Sequence, residues 1–155
     1  MSADIAARAS SGLDYLERIV RGDLPNVPIG DTLGFRLSEA ERGRVVLTGA
    51  PDRSAYNLIG TVHGGWAASI LDTALALSVL TTLDAEQSFT TVDIRINYLR
   101  PLTVETGPVT ATGRVLQSGR RLAYSEAHLT DAAGKLICHG TGSCLILPRA
   151  SASAP

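Results

Sequence analysis

Two short stretches of this chain hold the residue types that could do chemistry. One is His63-Gly64-Gly65. The other is Asp72, the only charge in a run over residues 66–80 that reads as a helix apolar almost all round. A carboxylate in apolar surroundings is expensive unless it is paired, hydrogen-bonded or protonated. The expectation is a buried acid kept for use; the alternative is a helix-interior Asp satisfied by a neighbouring hydroxyl or Arg. At the helix entrance, the first N–H groups have no internal acceptor and the dipole makes that end positive. Gly64 and Gly65 leave this backbone bare. It can hold an anion or a carbonyl oxygen gaining negative charge, or the glycines only permit close helix–sheet packing.

The spacing constrains how the two stretches cooperate. Asp72 lies eight residues past Gly64, about 12 Å along a helix axis. Within one chain they cannot flank one reacting carbon. Across a two-fold axis the entrance of one helix faces the middle of its antiparallel twin, giving two equal sites.

The elements around these stretches follow from periodicity. Leu13, Leu16, Ile19 and Val20 recur at helical spacing, so residues 10–21 read as a short amphipathic helix. A loop with Gly22, Pro25 and Pro28 follows, then two strands at 33–39 and 44–50 around a hairpin turn. Residues 51–60 read as loop, and the long helix runs from about 62 to 82. The period then changes from 3.6 to 2. Val92, Ile94, Ile96 and Tyr98 fall on one strand face, with Asp93, Arg95 and Asn97 on the other. Three more strands follow at 109–117, 122–130 and 135–147, joined by turns at Ser118-Gly119 and 131–134. Hairpins in series imply an antiparallel sheet. A helix apolar on all sides needs cover on all sides, so the sheet must wrap it, with a partner subunit closing what remains open.

Composition narrows the function classes. The chain has 155 residues, 45% hydrophobic and 19% charged, with a net charge of −1. That suits one globular domain. No basic stripe is present, which argues against nucleic acid. The apolar run has a central Asp, several hydroxyls and no close flanking Lys or Arg, so no membrane span is expected. Residues 1–11 lack the apolar core of a signal peptide, and a cytoplasmic protein is the expectation. Cys138 and Cys144 share one strand face about 20 Å apart, too far to bridge. His128 and His139 lack partner spacing and read as structural. With His63 and the cysteines they form no recognisable ligand set, so no metal is expected. Trp66 either lines a pocket or fills the core.

The stretch Asn57-Leu58-Ile59-Gly60-Thr61-Val62-His63-Gly64-Gly65, then Leu71-Asp72-Thr73-Ala74, then Val92-Asp93-Ile94-Arg95-Ile96-Asn97-Tyr98-Leu99-Arg100-Pro101 resembles the hotdog-fold acyl-CoA thioesterases of the phenylacetic-acid-degradation (PaaI-like) branch. The resemblance covers roughly residues 30–147. It implies an α+β hotdog fold, an antiparallel sheet wrapped around a long central helix. Residues 1–29 would be an N-terminal helix and linker, and 148–155 a disordered tail.

The resemblance also implies roles. The Gly64 N–H would polarise a thioester carbonyl. Asp72 would be general base or nucleophile; the sequence leaves both open. Asn57 would orient water or the carbonyl, His63 would support the loop and could also support the carbonyl, and Thr91 would stand near the attacking water. Thr73 adjoins the acid, and Gly65 belongs to the same entrance. Some relatives carry Glu in place of Asp72 with a Thr one turn on; here that position is Ala76, which receives no role. Coenzyme A is part of the substrate, and no separate cofactor is implied. Its phosphates would meet Arg100, Arg120 and Arg121, with Ser118 and Gly119 offering backbone N–H groups; the alternative is solvated turn residues. The implied assembly is a homodimer at least, commonly a homotetramer.

Two rival functions share the fold. One is a non-catalytic acyl-CoA binding or sensing protein, which would gain nothing from an acid at position 72. The other is a hydratase, which needs an Asp–His pairing in one loop that this sequence lacks.

Overall fold

The computed structural model describes residues 11–149. Helix α1 (Gly12–Val20) starts at Ser11, whose hydroxyl accepts from the Asp14 N–H while the Asp14 carboxylate reaches back. That reciprocal cap explains the start, slightly later than periodicity places it. Leu16 and Ile19 bury into the main core.

Helix α2 (Pro28–Leu33) was expected to be loop. It is short enough to show no apolar period. Pro28 at its first position presets the backbone, and Gly34, at φ +74°, ends it in the left-handed conformation.

Strands β1 (Phe35–Glu41) and β2 (Arg44–Gly49) form the expected hairpin, followed by the long helix α3 (Gly64–Leu80). Strands β3 (Gln87–Tyr98), β4 (Val109–Ser118), β5 (Leu122–Asp131) and β6 (Leu136–Pro148) complete the chain. They make one six-stranded antiparallel sheet in the order β1-β2-β4-β5-β6-β3. Residues 150–155, most of the tail expected to be disordered, lie outside the described residues, as do residues 1–10.

The sheet curves around α3, and small residues on its inner side let the helix in. A Cβ on Gly113 of β4 would stand 2.1 Å from the Ala74 carbonyl oxygen, so backbone meets backbone there. On β6, Gly140 and Gly142 accommodate the Leu71 and Leu75 side chains. Ile70, Leu71, Ala74, Leu75 and Val79 are almost wholly buried. Trp66 is core: its ring meets Phe35 edge-on and its indole N–H donates to the Leu33 carbonyl at 2.8 Å.

Cover is incomplete along the first half of α3. Gly65, Ala68, Ser69, Asp72 and Thr73 form a partly exposed stripe. Asp72 is therefore half-buried within one protomer, which corrects the expectation of a buried acid. Beside the stripe runs β3, an edge strand. Its Val92, Ile94 and Tyr98 are 59%, 40% and 54% exposed.

β3 also departs from strict alternation. Thr91 pairs with Cys144 and Asp93 with Ser143, leaving Val92 as a bulged extra residue. Before the bulge Thr91 faces α3. After it Ile94 and Ile96 take that side, against Gly142 and Gly140, and Asp93 turns outward to the Ser143 hydroxyl.

Among the described residues, no helix is long and apolar enough to cross a membrane.

Candidate active site

The α3 entrance is held by the loop before it. The Val62 N–H donates to the Leu102 carbonyl and the His63 N–H to the Ala55 carbonyl, at 2.8 and 2.7 Å. His63 is the N-cap in extended conformation, and its Nδ1 accepts from the Gly65 N–H at 2.8 Å. The Trp66 N–H donates to the His63 carbonyl at 2.9 Å. Thus His63 and the helix itself satisfy the second and third N–H groups. Among the described residues, nothing accepts from the Gly64 N–H. A free, positively polarised donor remains at the entrance.

Tyr98 fixes that peptide. A Cβ on Gly64 would lie 3.2 Å from the Tyr98 ring, and the phenol donates to the Gly64 carbonyl at 3.0 Å. Burial, with the Cys138 thiol next, pushes the phenol above its usual range, so it stays a donor. Sequence reading gave Tyr98 no role. Its strand parity with Ile94 and Ile96, at the end of β3 beside Arg100-Pro101, was the signal available.

A cleft of about 390 Å³ opens at this end, lined by Asn57, Ile59, Gly64, Tyr98 and Arg100 among others. The Asn57 carboxamide is largely occupied in closing its own loop. Its Nδ2 donates to the Thr61 hydroxyl at 2.9 Å, and its Oδ1 accepts from the Ile59 and Thr61 N–H groups at 3.0 and 3.2 Å. One Nδ2 hydrogen remains for the cleft.

Asp72 belongs to a second cluster, farther along α3. Its Oδ1 accepts from the Thr91 hydroxyl at 3.2 Å. Cys144 on β6 is the register partner of Thr91. Burial pushes its thiol up, a Thr91 hydrogen bond lowers it, and the Asp72 and Asp93 carboxylates raise it. It therefore stays a protonated thiol. The Thr73 hydroxyl is spent on the Ser69 carbonyl at 2.8 Å.

Ser118, Gly119, Arg120 and Arg121 form the β4–β5 turn at the opposite end, where Ser118 approaches Thr82 past the end of α3 (Oγ to Oγ1 3.4 Å). Arg120 and Arg121 line a separate cleft with Glu86 and Gln87. Arg100, Arg120 and Arg121 make no ion pair among the described residues. One protomer thus brings Gly64, His63, Asn57 and Arg100 together, pairs Asp72 with Thr91, and leaves the hairpin arginines apart.

His128 and His139, which lack partner spacing in the sequence and read there as structural, meet in the fold. They are direct cross-strand partners with rings 4.9 Å apart, and with Glu126 they group three metal-capable atoms. Eleven residues of sequence separation conceal the pairing, which exists only once β5 and β6 are in register.

A curved antiparallel sheet on one long helix, with a free N–H at the helix entrance and an acid further along, defines a hotdog-fold protein. Residues 59–138 match the model of the thioesterase superfamily. Human acyl-coenzyme A thioesterase 13 is 32% identical over 105 residues, 67% of this chain and 74% of that one. The phenylacetic acid degradation protein PaaI of Thermus thermophilus superposes with a TM-score of 0.70 at 28% identity, covering 77% of this chain and 98% of that one. The Escherichia coli PaaI protein shows the same fold, with a TM-score of 0.76 at 20% identity over 88% and 96% of the two chains. The chain belongs to the thioesterase superfamily, in its PaaI-like hotdog branch, and is a thioester hydrolase.

Proposed function

We propose that the chain hydrolyses an acyl- or aryl-CoA thioester, with Asp72 of one protomer acting opposite the Gly64 N–H of its partner. The observation that carries this reading is the open stripe on α3. It holds the acid, begins at the bare entrance, and lies beside an exposed apolar edge strand. Two β3 edges meeting antiparallel about a two-fold axis cover that apolar surface. The same pairing runs the α3 helices antiparallel, so each Asp72 approaches the other entrance.

In this arrangement the thioester carbonyl oxygen accepts from the Gly64 N–H. Water attacks the carbon and Asp72 takes its proton, or Asp72 attacks first and water releases the acyl group. Either way the C–S bond breaks, the sulfur leaves as coenzyme A thiol, and the acyl group leaves as free acid. The Thr91 hydroxyl holds the carboxylate in place. Gly65, through His63, keeps the entrance in shape.

The antiparallel pairing also carries the hairpin of one protomer toward the cleft of the other. Arg120 and Arg121 of that hairpin, with the Ser118 and Gly119 backbone, then join Arg100 in holding coenzyme A phosphates. That they make no ion pair among the described residues supports this role. A homotetramer built from such dimers and a cytoplasmic location belong to the same proposal.

The experiment is a panel of acyl-CoA esters assayed for thiol release, with Asp72→Asn beside the wild type. Thiol release by the wild type is expected, reduced about 100- to 10,000-fold in D72N, with circular dichroism and oligomeric state unchanged. Wild-type turnover by D72N would sink the assignment, and ligand retention without turnover would indicate a binding protein.

A further inference from the structure

The outer face of the sheet, turned away from α3, carries a cluster with no part in hydrolysis. Glu126 and His128 stand two residues apart on β5, so both point outward while Ala127 and Leu129 are buried inward. His139 on β6 is the register partner of His128. The imidazole rings are 4.9 Å apart and tilted by 47°. His139 Nε2 lies 3.8 Å from Glu126 Oε2. One ligand atom from each of the three falls within 4.8 Å of the others, and all three residues are half-buried. Among the described residues, no hydrogen bond engages either imidazole.

We propose that Glu126, His128 and His139 form a binding site for one divalent cation of the zinc class. Two imidazole nitrogens and one carboxylate oxygen suit Zn²⁺, Co²⁺, Ni²⁺ or Cu²⁺, whereas Mg²⁺ and Ca²⁺ prefer oxygen alone. Ligands about 2.0–2.2 Å from one ion lie roughly 3–3.5 Å from each other. The Glu126–His139 pair is already close to that separation, and half-buried side chains can turn to close the rest.

The backbones need not move. Glu126 opposes Thr141 and His128 opposes His139 in an unbroken stretch of the β5–β6 ladder. Three protein ligands leave the remaining positions to water. A bound ion ties β5 to β6 and stabilises the folded state by mass action.

One competitor is in place. Arg114 Nη2 lies 3.4 Å from Glu126 Oε1, with its side chain 66% exposed. The guanidinium sits on Oε1 while Oε2 faces His139, and its positive charge repels an incoming cation, so Arg114 opposes binding.

The test uses the full, untagged chain stripped with a chelator. Zn²⁺ binding is followed by calorimetry, and Co²⁺ binding by visible absorption. One ion per protomer is expected, with Co²⁺ bands showing nitrogen ligation. His128→Gln and His139→Gln should each weaken Zn²⁺ beyond the roughly 10- to 100-fold loss that outer-shell changes cause. Both variants should keep wild-type thioester hydrolysis, which also confirms that they fold. Arg114→Gln should tighten binding, an effect that a purely structural cluster would not produce. Zn²⁺ held no better than Mg²⁺, or held equally well by H128Q and H139Q, would overturn the site. Unchanged or weaker binding in R114Q would overturn Glu126 as a ligand and with it the proposed donor set.

Discussion

The Thr91 hydroxyl meets Asp72 Oδ1 at 3.2 Å because Val92 bulges out of β3. Without that extra residue Thr91 would share a face with Asp93, which points outward to Ser143. The bulge reverses the phase, keeps Thr91 on the helix side, and aims it at the acid.

Removing this donor should slow turnover without weakening binding. A hydrogen bond to a charged group contributes about 1.5–3 kcal/mol, or roughly 10- to 100-fold in rate. Thr91→Val should lower kcat by that factor with KM little changed, and Thr91→Ser should retain most activity. Steady-state kinetics on one good substrate decides it. An unchanged kcat in T91V would remove Thr91 from the mechanism.

Tyr98 should act through Gly64. Tyr98→Phe keeps the ring against the glycine and loses only the bond to its carbonyl, so kcat should fall about two- to tenfold. Tyr98→Ala also frees the peptide and should fall further. Equal rates for wild type, Y98F and Y98A would show that the entrance needs no such clamp.

Assembly should be inseparable from activity. Ile94 is 40% exposed on the edge strand, where a charge would be tolerated in a lone protomer and expelled from an apolar interface. Ile94→Asp should give a folded monomer by light scattering and circular dichroism. Its hydrolysis should drop about 100- to 1,000-fold, the scale of losing one oxyanion donor. A fully active monomer would contradict the shared site.

Alkaline stability should depend on Cys138. Burial pushes its thiol from 9.0 up to about 11. Below pH 9 both folded and unfolded states hold the proton, and stability is flat with respect to this group. Between pH 9 and about 11 the unfolded chain loses the proton first, so stability falls as pH rises. Thermal melts from pH 8 to 11 should show a decline that is shallower in Cys138→Ala. Parallel declines would mean that another group carries the effect.

The sequence by itself determined the element order, the helix entrance and the acid within α3. Those are local patterns: a 3.6-residue period, a two-residue period, and two glycines after a histidine. The short α2 escaped because fewer than two turns show no period. The exposure of Asp72, the Thr91 contact, the Tyr98 clamp and the His128–His139 pairing were decided only by the tertiary structure. Each depends on strand register, a bulge, or how far the sheet reaches around the helix. These arise between residues distant in the chain, through backbone contacts such as Gly113 against Ala74 that leave no periodic trace in the amino-acid order.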